Sequence, residues 1–359
     1  MGVADPTVDN GAMPASANRL AGDLDALVAA YPGVWPALRE ARLFMTGGTG
    51  FFGGWLLESL LWANRRFDLG ASATVLTRDA AAFAGRAPHL AGDRAVTLHE
   101  GDIRTFAFPD GRFTHVIHAA VDATPPANQA GRRDVVDVIV EGTRRALEFA
   151  RDRGVRRFLF TSSGAIYGRQ PIELEYTPEE YCGAPDPSDP QTAGAEAKRA
   201  AEMLCAVHAG ETLQPVIARC FAFLGPYLPL DGAFAAGNFI RDALAGGPIV
   251  VAGDGTPVRS YLYAADLAGW LWTILLRGRT GAAYNVGSED ALSIAELARR
   301  VASCASPSVQ VRIVGAATRG HGGDRYVPST LRARTELDLQ PTVGLADAIA
   351  RTMEWHAAR

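Results

Sequence analysis

The chain has 359 residues, of which 48% are apolar, and 35 Lys and Arg against 39 Asp and Glu give a formal net charge of -4. That length buries a large core and suits one large α/β unit or two closely joined domains, while the slightly acidic balance argues against a general nucleic-acid-binding surface. No uninterrupted apolar span is long enough to cross a membrane, and no basic stretch precedes a short apolar one as in a secretory leader, so the expected location is the cytoplasm.

Residues 1–38 read as an N-terminal extension. Its early part, with Asp5-Pro6, Asp9-Asn10-Gly11 and Met13-Pro14, is expected to be disordered. Leu20, Leu24, Leu27 and Val28 recur at helical spacing, which predicts a short amphipathic helix over residues 19–30 that covers an edge of the main domain.

From Arg42 to Leu57 an apolar strand pattern runs into a glycine-rich turn and then a helical pattern. Gly47, Gly50 and Gly53 form a G-x-x-G-x-x-G series. One glycine serves the tight turn, one lets the backbone approach a diphosphate, and one permits close helix-to-strand packing. The phosphates sit at the helix N-terminus, which places Phe51 and Phe52 in the cofactor set. Residues 73–77 predict the second strand, whose end faces the adenine ribose of a dinucleotide. Arg78 there favours NADP, while Asp79 keeps NAD open.

Asp102, followed by Ile103, stands after the next apolar run, where a carboxylate accepts from the adenine amino group. Residues 114–120 form a buried strand ending in Ala119 and Ala120, small enough for the cofactor to pass close. A helix over 134–151 leads to a strand that runs into Thr161-Ser162-Ser163-Gly164-Ala165-Ile166-Tyr167-Gly168. Ligands of open parallel sheets gather at such strand ends. The proline-rich, acidic stretch 171–190 reads as a loop on the active-site side, and residues 192–208 as a helix carrying Lys198.

Beyond the strand 216–219 lies a smaller region with a helix containing Asn238, the turn Gly253-Asp254-Gly255, Arg259, and a helix over 265–276. Ser293 with Glu296 has capping-box spacing, and a final helix covers 345–356. Cys182, Cys205, Cys220 and Cys304 lie without a C-x-x-C pair and read as reduced thiols, so no metal site is expected. The expected fold is α/β, a Rossmann-like doubly wound parallel sheet with a smaller C-terminal substrate-binding region. Residues 39–220 make the dinucleotide-binding part, with 256–287 returning to it, and 221–255 and 288–359 make the substrate-binding part.

This ordered set resembles the extended short-chain dehydrogenase/reductase superfamily, in its nucleotide-sugar epimerase and dehydratase branch. The resemblance runs from about Leu43 to the C-terminus through the glycine turn, Gly101-Asp102-Ile103, His118-Ala119-Ala120, Gly142-Thr143, residues 162–168, the Lys198 helix, Gly253-Asp254-Gly255 and Asn285-Val286-Gly287. It implies a tightly held NAD(P), a nucleoside-diphosphate sugar as substrate, a homodimer, and a Ser-Tyr-Lys catalytic set. Ser163 and Lys198 match the serine and lysine, and Ser162 and Lys198 fall in the cofactor shell. The tyrosine, expected four residues before the lysine, is Gly194.

Tyr167 is therefore a candidate substitute for the missing acid-base group, and His118 a candidate relay. The dehydratase branch carries an acidic pair after the serine. Here Gly164-Ala165 stands, so an epimerase-like pocket is the closer resemblance. Ser163, Gly194, Ala222, Asn238, Arg259 and Arg325 are the implied substrate-side residues, the two arginines meeting the diphosphate with a fixed donor fork. The expected function is a divergent NAD(P)-dependent nucleotide-sugar epimerase or oxidoreductase. The alternatives are a non-redox isomerase or lyase, or a ligand-binding partner protein with reduced catalysis.

Overall fold

A computed structural model of the chain describes residues 18–120, 129–232, 234–315 and 324–358. The expected disordered stretch at residues 1–17 lies outside them. A seven-stranded sheet organises the rest. Its strands are β1 (Arg42–Thr46), β2 (Ser72–Thr77), β3 (Val96–Glu100), β4 (His115–His118), β5 (Arg157–Ser163), β6 (Gln214–Cys220) and the edge strand Ala283–Val286. Their spatial order is Ala283–Val286, β6, β5, β4, β1, β2, β3, and every neighbouring pair is parallel.

Parallel sheets are covered on both faces, and β1 shows this residue by residue. Leu43 and Met45 point into one apolar cluster and Phe44 into another, the period of two expected of a strand. On the first face lie α1 (Ala21–Ala30) and α2 (Phe51–Phe67). After β2 come the short α3 (Ala80–Arg86) and α4 (Pro88–Ala91), and the second face is built from α5 (Gln129–Asp152) and α6 (Ala193–His208). The strand order reverses between β1 and β4, which opens a crevice at their C-terminal ends.

The smaller region contains α7 (Ala235–Leu244), α9 (Ile294–Cys304), α10 (Leu331–Leu337) and α11 (Leu345–Ala357), while α8 (Ala264–Arg277) packs against β5 and β6 of the main sheet. Two-residue strands tie the region together. Val258–Arg259 lies between Leu292–Ser293 and Arg325–Tyr326 in a three-stranded sheet. The Ser293–Glu296 capping box is formed at the start of α9.

The N-terminal helix buries Leu24, Leu27 and Val28, as its spacing predicts, and packs them against α2 and α8. The reason lies partly at Gly269 in α8. A Cβ there would fall 2.1 Å from the Tyr31 ring, so the missing side chain is the seat for the segment that follows α1. Trp35 and Leu38 of that segment are fully buried.

Candidate active site

The glycine turn after β1 is built so tightly that side chains are excluded. Gly47 has a φ of 70°, and a Cβ on it would lie 2.3 Å from the Ala119 carbonyl oxygen. Gly50 is the N-cap of α2, and a Cβ on Gly53 would lie 2.3 Å from Gly48 Cα. The helix end is thus pressed against the turn, with Phe51 and Phe52 in its first turn, where backbone N–H groups lack intrahelical acceptors. Ala119 and Ala120 close the other wall. Their N–H groups donate to Thr46 Oγ1, each at 3.2 Å.

Thr46 also fixes His118. Its hydroxyl lies 2.7 Å from Nδ1, and Nε2 lies 3.0 Å from Thr143 Oγ1 on α5. Because Thr46 Oγ1 already accepts from two backbone groups, its own proton goes to Nδ1, which leaves the ring proton on Nε2 to donate to Thr143. Burial, and then the charge of Lys198, push His118 down to about 3. Both ring nitrogens are thus held by threonine hydroxyls, and the neutral ring joins β1, β4 and α5.

The C-terminal ends of β2 and β3 bring Arg78 and Asp102 into one neighbourhood. Arg78 is exposed at the end of β2, whereas the Asp79 carboxylate caps α3 by accepting from Ala82 N at 2.8 Å. Asp102 accepts from Arg104 Nε at 2.8 Å and Nη2 at 2.7 Å. Those hydrogen bonds, with Arg78 contributing from farther away, hold its carboxyl down at about 2. Arg104 also bonds Asp134 at 2.7 Å, a link that sequence reasoning missed. Ile103, beside Asp102, is buried under Gly142, where a Cβ would fall 2.9 Å from its side chain.

At the end of β5, Ser162 is buried and its Oγ has no hydrogen-bond partner among the described residues. Buried hydroxyls are normally satisfied, so this one is available to a ligand atom. Ser163 accepts from Ala165 N at 3.1 Å. Lys198 is buried on α6. Its Nζ donates to the Thr161 carbonyl at 2.5 Å and lies 4.6 Å from the Phe160 ring centre. Burial pulls its ammonium down to about 8. Gly194 occupies the first turn of α6, one turn before Lys198, and among the described residues a Cβ there would touch Val135 alone, at 3.6 Å.

Aromatic rings line the surroundings of Ser163. A Cβ on Gly164 would lie 2.7 Å from the Phe221 ring, and one on Gly287 would lie 3.3 Å from Phe221 Cβ. Phe221 is therefore seated between two glycines. Its outer face meets Tyr326, with ring centres 4.6 Å apart. The Tyr326 hydroxyl is 3.5 Å from Ser163 Oγ, an association not anticipated from sequence.

Tyr167 is placed differently. It is buried, its hydroxyl donates to Asn285 Oδ1 at 2.9 Å, and it accepts from Arg219 Nη1 at 2.8 Å. Arg219 is itself paired with Glu202 at 2.8 Å. Burial, foremost, raises the phenol above its ordinary range. These partners commit its oxygen to joining β5, β6 and the edge strand.

The remaining substrate-side candidates are distributed over the smaller region. The Ala222 carbonyl accepts from Leu262 N at 3.0 Å. Asn238 donates to the Gly232 carbonyl at 3.2 Å and accepts from Arg241. Arg259 bonds the Asp324 carboxylate at 2.7 Å, and Arg325 Nε donates to the Glu175 carbonyl at 2.7 Å. Parallel pairing of Val258–Arg259 with Arg325–Tyr326 brings both arginines onto one small sheet.

Residues 43–287 match the NAD dependent epimerase/dehydratase family. The chain belongs to that family. It is 28% identical over 330 residues to the dTDP-glucose 4,6-dehydratase of Streptomyces niveus, covering 88% of this chain and 92% of the relative. It is also 28% identical to UDP-glucuronic acid decarboxylase 1 of Arabidopsis thaliana, covering 87% of this chain and 69% of that one. Among solved structures, the dTDP-glucose 4,6-dehydratase of Streptomyces venezuelae, determined with NAD bound, superposes with a TM-score of 0.72 at 27% identity. The match covers 89% of this chain and 97% of that one. The UDP-glucose 4-epimerase of Thermotoga maritima shares the fold with a TM-score of 0.73 at 22% identity, over 88% of this chain and 99% of that one.

A family dinucleotide fits the residues present. The glycine turn admits a ligand backbone but no side chain, and Ser162 supplies an unpaired buried hydroxyl. Among the described residues no cluster of His, Cys, Asp and Glu has metal-binding geometry, and no helix is long and apolar enough to cross a membrane.

Proposed function

We propose that the chain is a divergent NAD(P)-dependent enzyme that transfers hydride to or from a nucleoside-diphosphate sugar at the ends of β4 and β5. What supports this reading is that, at the C-terminal ends of the neighbouring strands β1, β4 and β5, a glycine turn closed to side chains stands with the unpaired Ser162, with Ser163 and with Lys198 bonded to the Thr161 carbonyl. The dinucleotide supplies the two-electron chemistry. Ser163 holds the sugar oxygen whose charge changes, and Lys198, fixed to the Thr161 carbonyl, orients the nicotinamide ribose. The relatives' names, which include a dTDP-glucose dehydratase and a UDP-glucuronic acid decarboxylase, support a nucleotide sugar as substrate.

Arg78, exposed where Asp79 is committed to a cap, favours NADP over NAD, and the enclosed turn favours tight retention. Gly164, filled by Phe221, leaves no room for the acid of a dehydratase pair, which favours epimerisation or simple oxidoreduction. Arg259 and Arg325 are assigned to the diphosphate, with Asn238 and Ala222 along the sugar and Gly194 leaving room beside it. A homodimer through α5 and α6 accounts for Met203 and Val207, which are 64% and 67% exposed on α6.

Gly194 favours one second reading, a partner protein that binds both ligands without hydride transfer. Purified protein mixed with NAD or NADP and with UDP-glucose or dTDP-glucose separates the two. Formation of reduced nicotinamide is expected; tight binding of both ligands with none formed supports the partner reading, and failure to bind either dinucleotide overturns both.

A further inference from the structure

With glycine at 194, α6 presents Lys198 but no hydroxyl to move a proton, and a sugar oxygen resting on Ser163 requires one. Tyr326 reaches that oxygen's position from the opposite side of the crevice. Its two-residue strand pairs with Val258–Arg259 so that Tyr326 stands opposite Arg259, and its ring rests on Phe221, which is itself seated between Gly164 and Gly287. The ring is thus positioned by packing.

Its hydroxyl is not otherwise committed by a short bond. Tyr326 Oη lies 3.5 Å from Ser163 Oγ and 3.4 Å from the Cys220 carbonyl oxygen. A good O–H···O bond is nearer about 2.8 Å. Two hydroxyls at this separation are too far apart to satisfy each other well, yet close enough for both to donate to one oxygen lying to the side of the pair, about 2.8 Å from each. Tyr167, with partners at 2.9 and 2.8 Å, offers the opposite case.

We propose that Tyr326 replaces residue 194 as the proton-donating hydroxyl, clasping with Ser163 the carbonyl oxygen of a nucleoside-diphosphate keto-sugar while that carbonyl is reduced. This rests on the NAD(P) and nucleotide-sugar reading given above. Hydride from a reduced nicotinamide dinucleotide forms the new C–H bond, the C=O π bond breaks, and the oxygen takes the proton of Tyr326. The dinucleotide is oxidised by two electrons, the sugar carbon is reduced by two, and the phenolate recovers a proton from water.

The surroundings fit a donor. Burial raises the phenol to about 12, so it keeps its proton at neutral pH. The groups facing it are Ser163 and the Ala165 backbone beyond β5, Cys220 on β6, and Arg259, whose guanidinium carbon is 5.7 Å from the ring centre. Ser163, Arg259 and the Ala165 backbone act in the opposite direction to burial and do not outweigh it.

The test uses the full chain with NADH or NADPH and dTDP-4-keto-6-deoxyglucose. Tyr326→Phe keeps the ring on Phe221, and an unchanged Tm verifies folding. The expected result is a kcat lowered about 100-fold or more with KM within about threefold, in the range for loss of a general acid. Adding Gly194→Tyr to that variant restores at least about tenfold and introduces an alkaline limb from a phenol beside Lys198. A Tyr326→Phe rate within about threefold of the parent, with both ligands bound normally, overturns the assignment of Tyr326 alone. Binding of the sugar nucleotide to the dinucleotide complex is read separately as an ultraviolet tyrosine difference spectrum. The spectrum is expected in the parent and absent from Tyr326→Phe, and identical spectra overturn the proposal even without turnover. If the parent binds neither NADH nor NADPH, the underlying functional reading fails as well.

Discussion

The turn after β1 and the segment from β5 to α6 both lie at the C-terminal ends of the sheet strands, yet they differ in what they hold. At the turn, all three glycines of the dinucleotide pattern are present, and two leave no space for even a methyl group. In the segment from β5 to α6 stand Ser163 and Lys198, with Gly194 one helical turn before the lysine and Gly164-Ala165 after the serine, where the family resemblance implies a tyrosine and an acidic pair. The difference is physical. Phosphate binding depends on backbone shape that only glycine permits, whereas proton transfer depends on one hydroxyl that any element reaching Ser163 can deliver.

The comparison is broken most severely at Gly47. Gly47→Ala places a methyl group against the Ala119 carbonyl at a positive φ and is expected to weaken dinucleotide binding more than about 100-fold, with about 1–3 kcal/mol or more lost in stability. Calorimetry with NADP and urea unfolding check both. Gly164→Asp attacks the other side. With the Phe221 ring 2.7 Å from the new Cβ, about 1–3 kcal/mol of overpacking is expected, seen as a lower Tm, with no gain of dehydratase activity.

A smaller effect distinguishes the two tyrosines. Tyr167→Phe removes a hydroxyl shared by Asn285 and Arg219 and is expected to cost about 1–2 kcal/mol in urea unfolding while leaving dinucleotide affinity unchanged. A fall in turnover without loss of stability would instead identify Tyr167 as the proton carrier.

The smallest effect near neutrality concerns the strut beneath the turn. His118 is held down at about 3 and His115 at about 4, both chiefly by burial. An unfolded histidine titrates near about 6.5. The unfolded chain therefore binds more protons below that pH, so stability falls as pH drops from about 6.5 toward 3–4 and is little changed above 7. His118→Gln is expected to flatten part of that slope in urea unfolding measured between pH 7 and pH 5.

What was legible in the chain follows the same division. The glycine turn is encoded by short spacings within one strand-turn-helix unit and the Arg19-to-Ala30 periodicity likewise marked α1, whereas Ser163 and Lys198 were singled out through the family resemblance. The location of α1 against α2 and α8 was not readable, because it depends on Tyr31 meeting a gap at Gly269, far along the chain. Tyr167 looked available from its closeness to Ser163. Its partners come from β6 and the edge strand, where Arg219 and Asn285 are adjacent only after parallel pairing. Tyr326 was hidden for the same reason, since two strands of two residues, 65 or more positions apart, bring it to the crevice. Its local signal was only its place beside Arg325.

The central claim is that a preserved dinucleotide site now works with a relocated hydroxyl. A crystal structure of the complex with NADP and a nucleoside-diphosphate sugar tests it most directly. The account predicts that the sugar oxygen on the carbon facing the nicotinamide lies within hydrogen-bond reach of both Ser163 Oγ and Tyr326 Oη, with no protein side chain approaching from position 194. An oxygen bound instead by Tyr167, or a sugar whose reacting carbon lies away from Ser163, would contradict it.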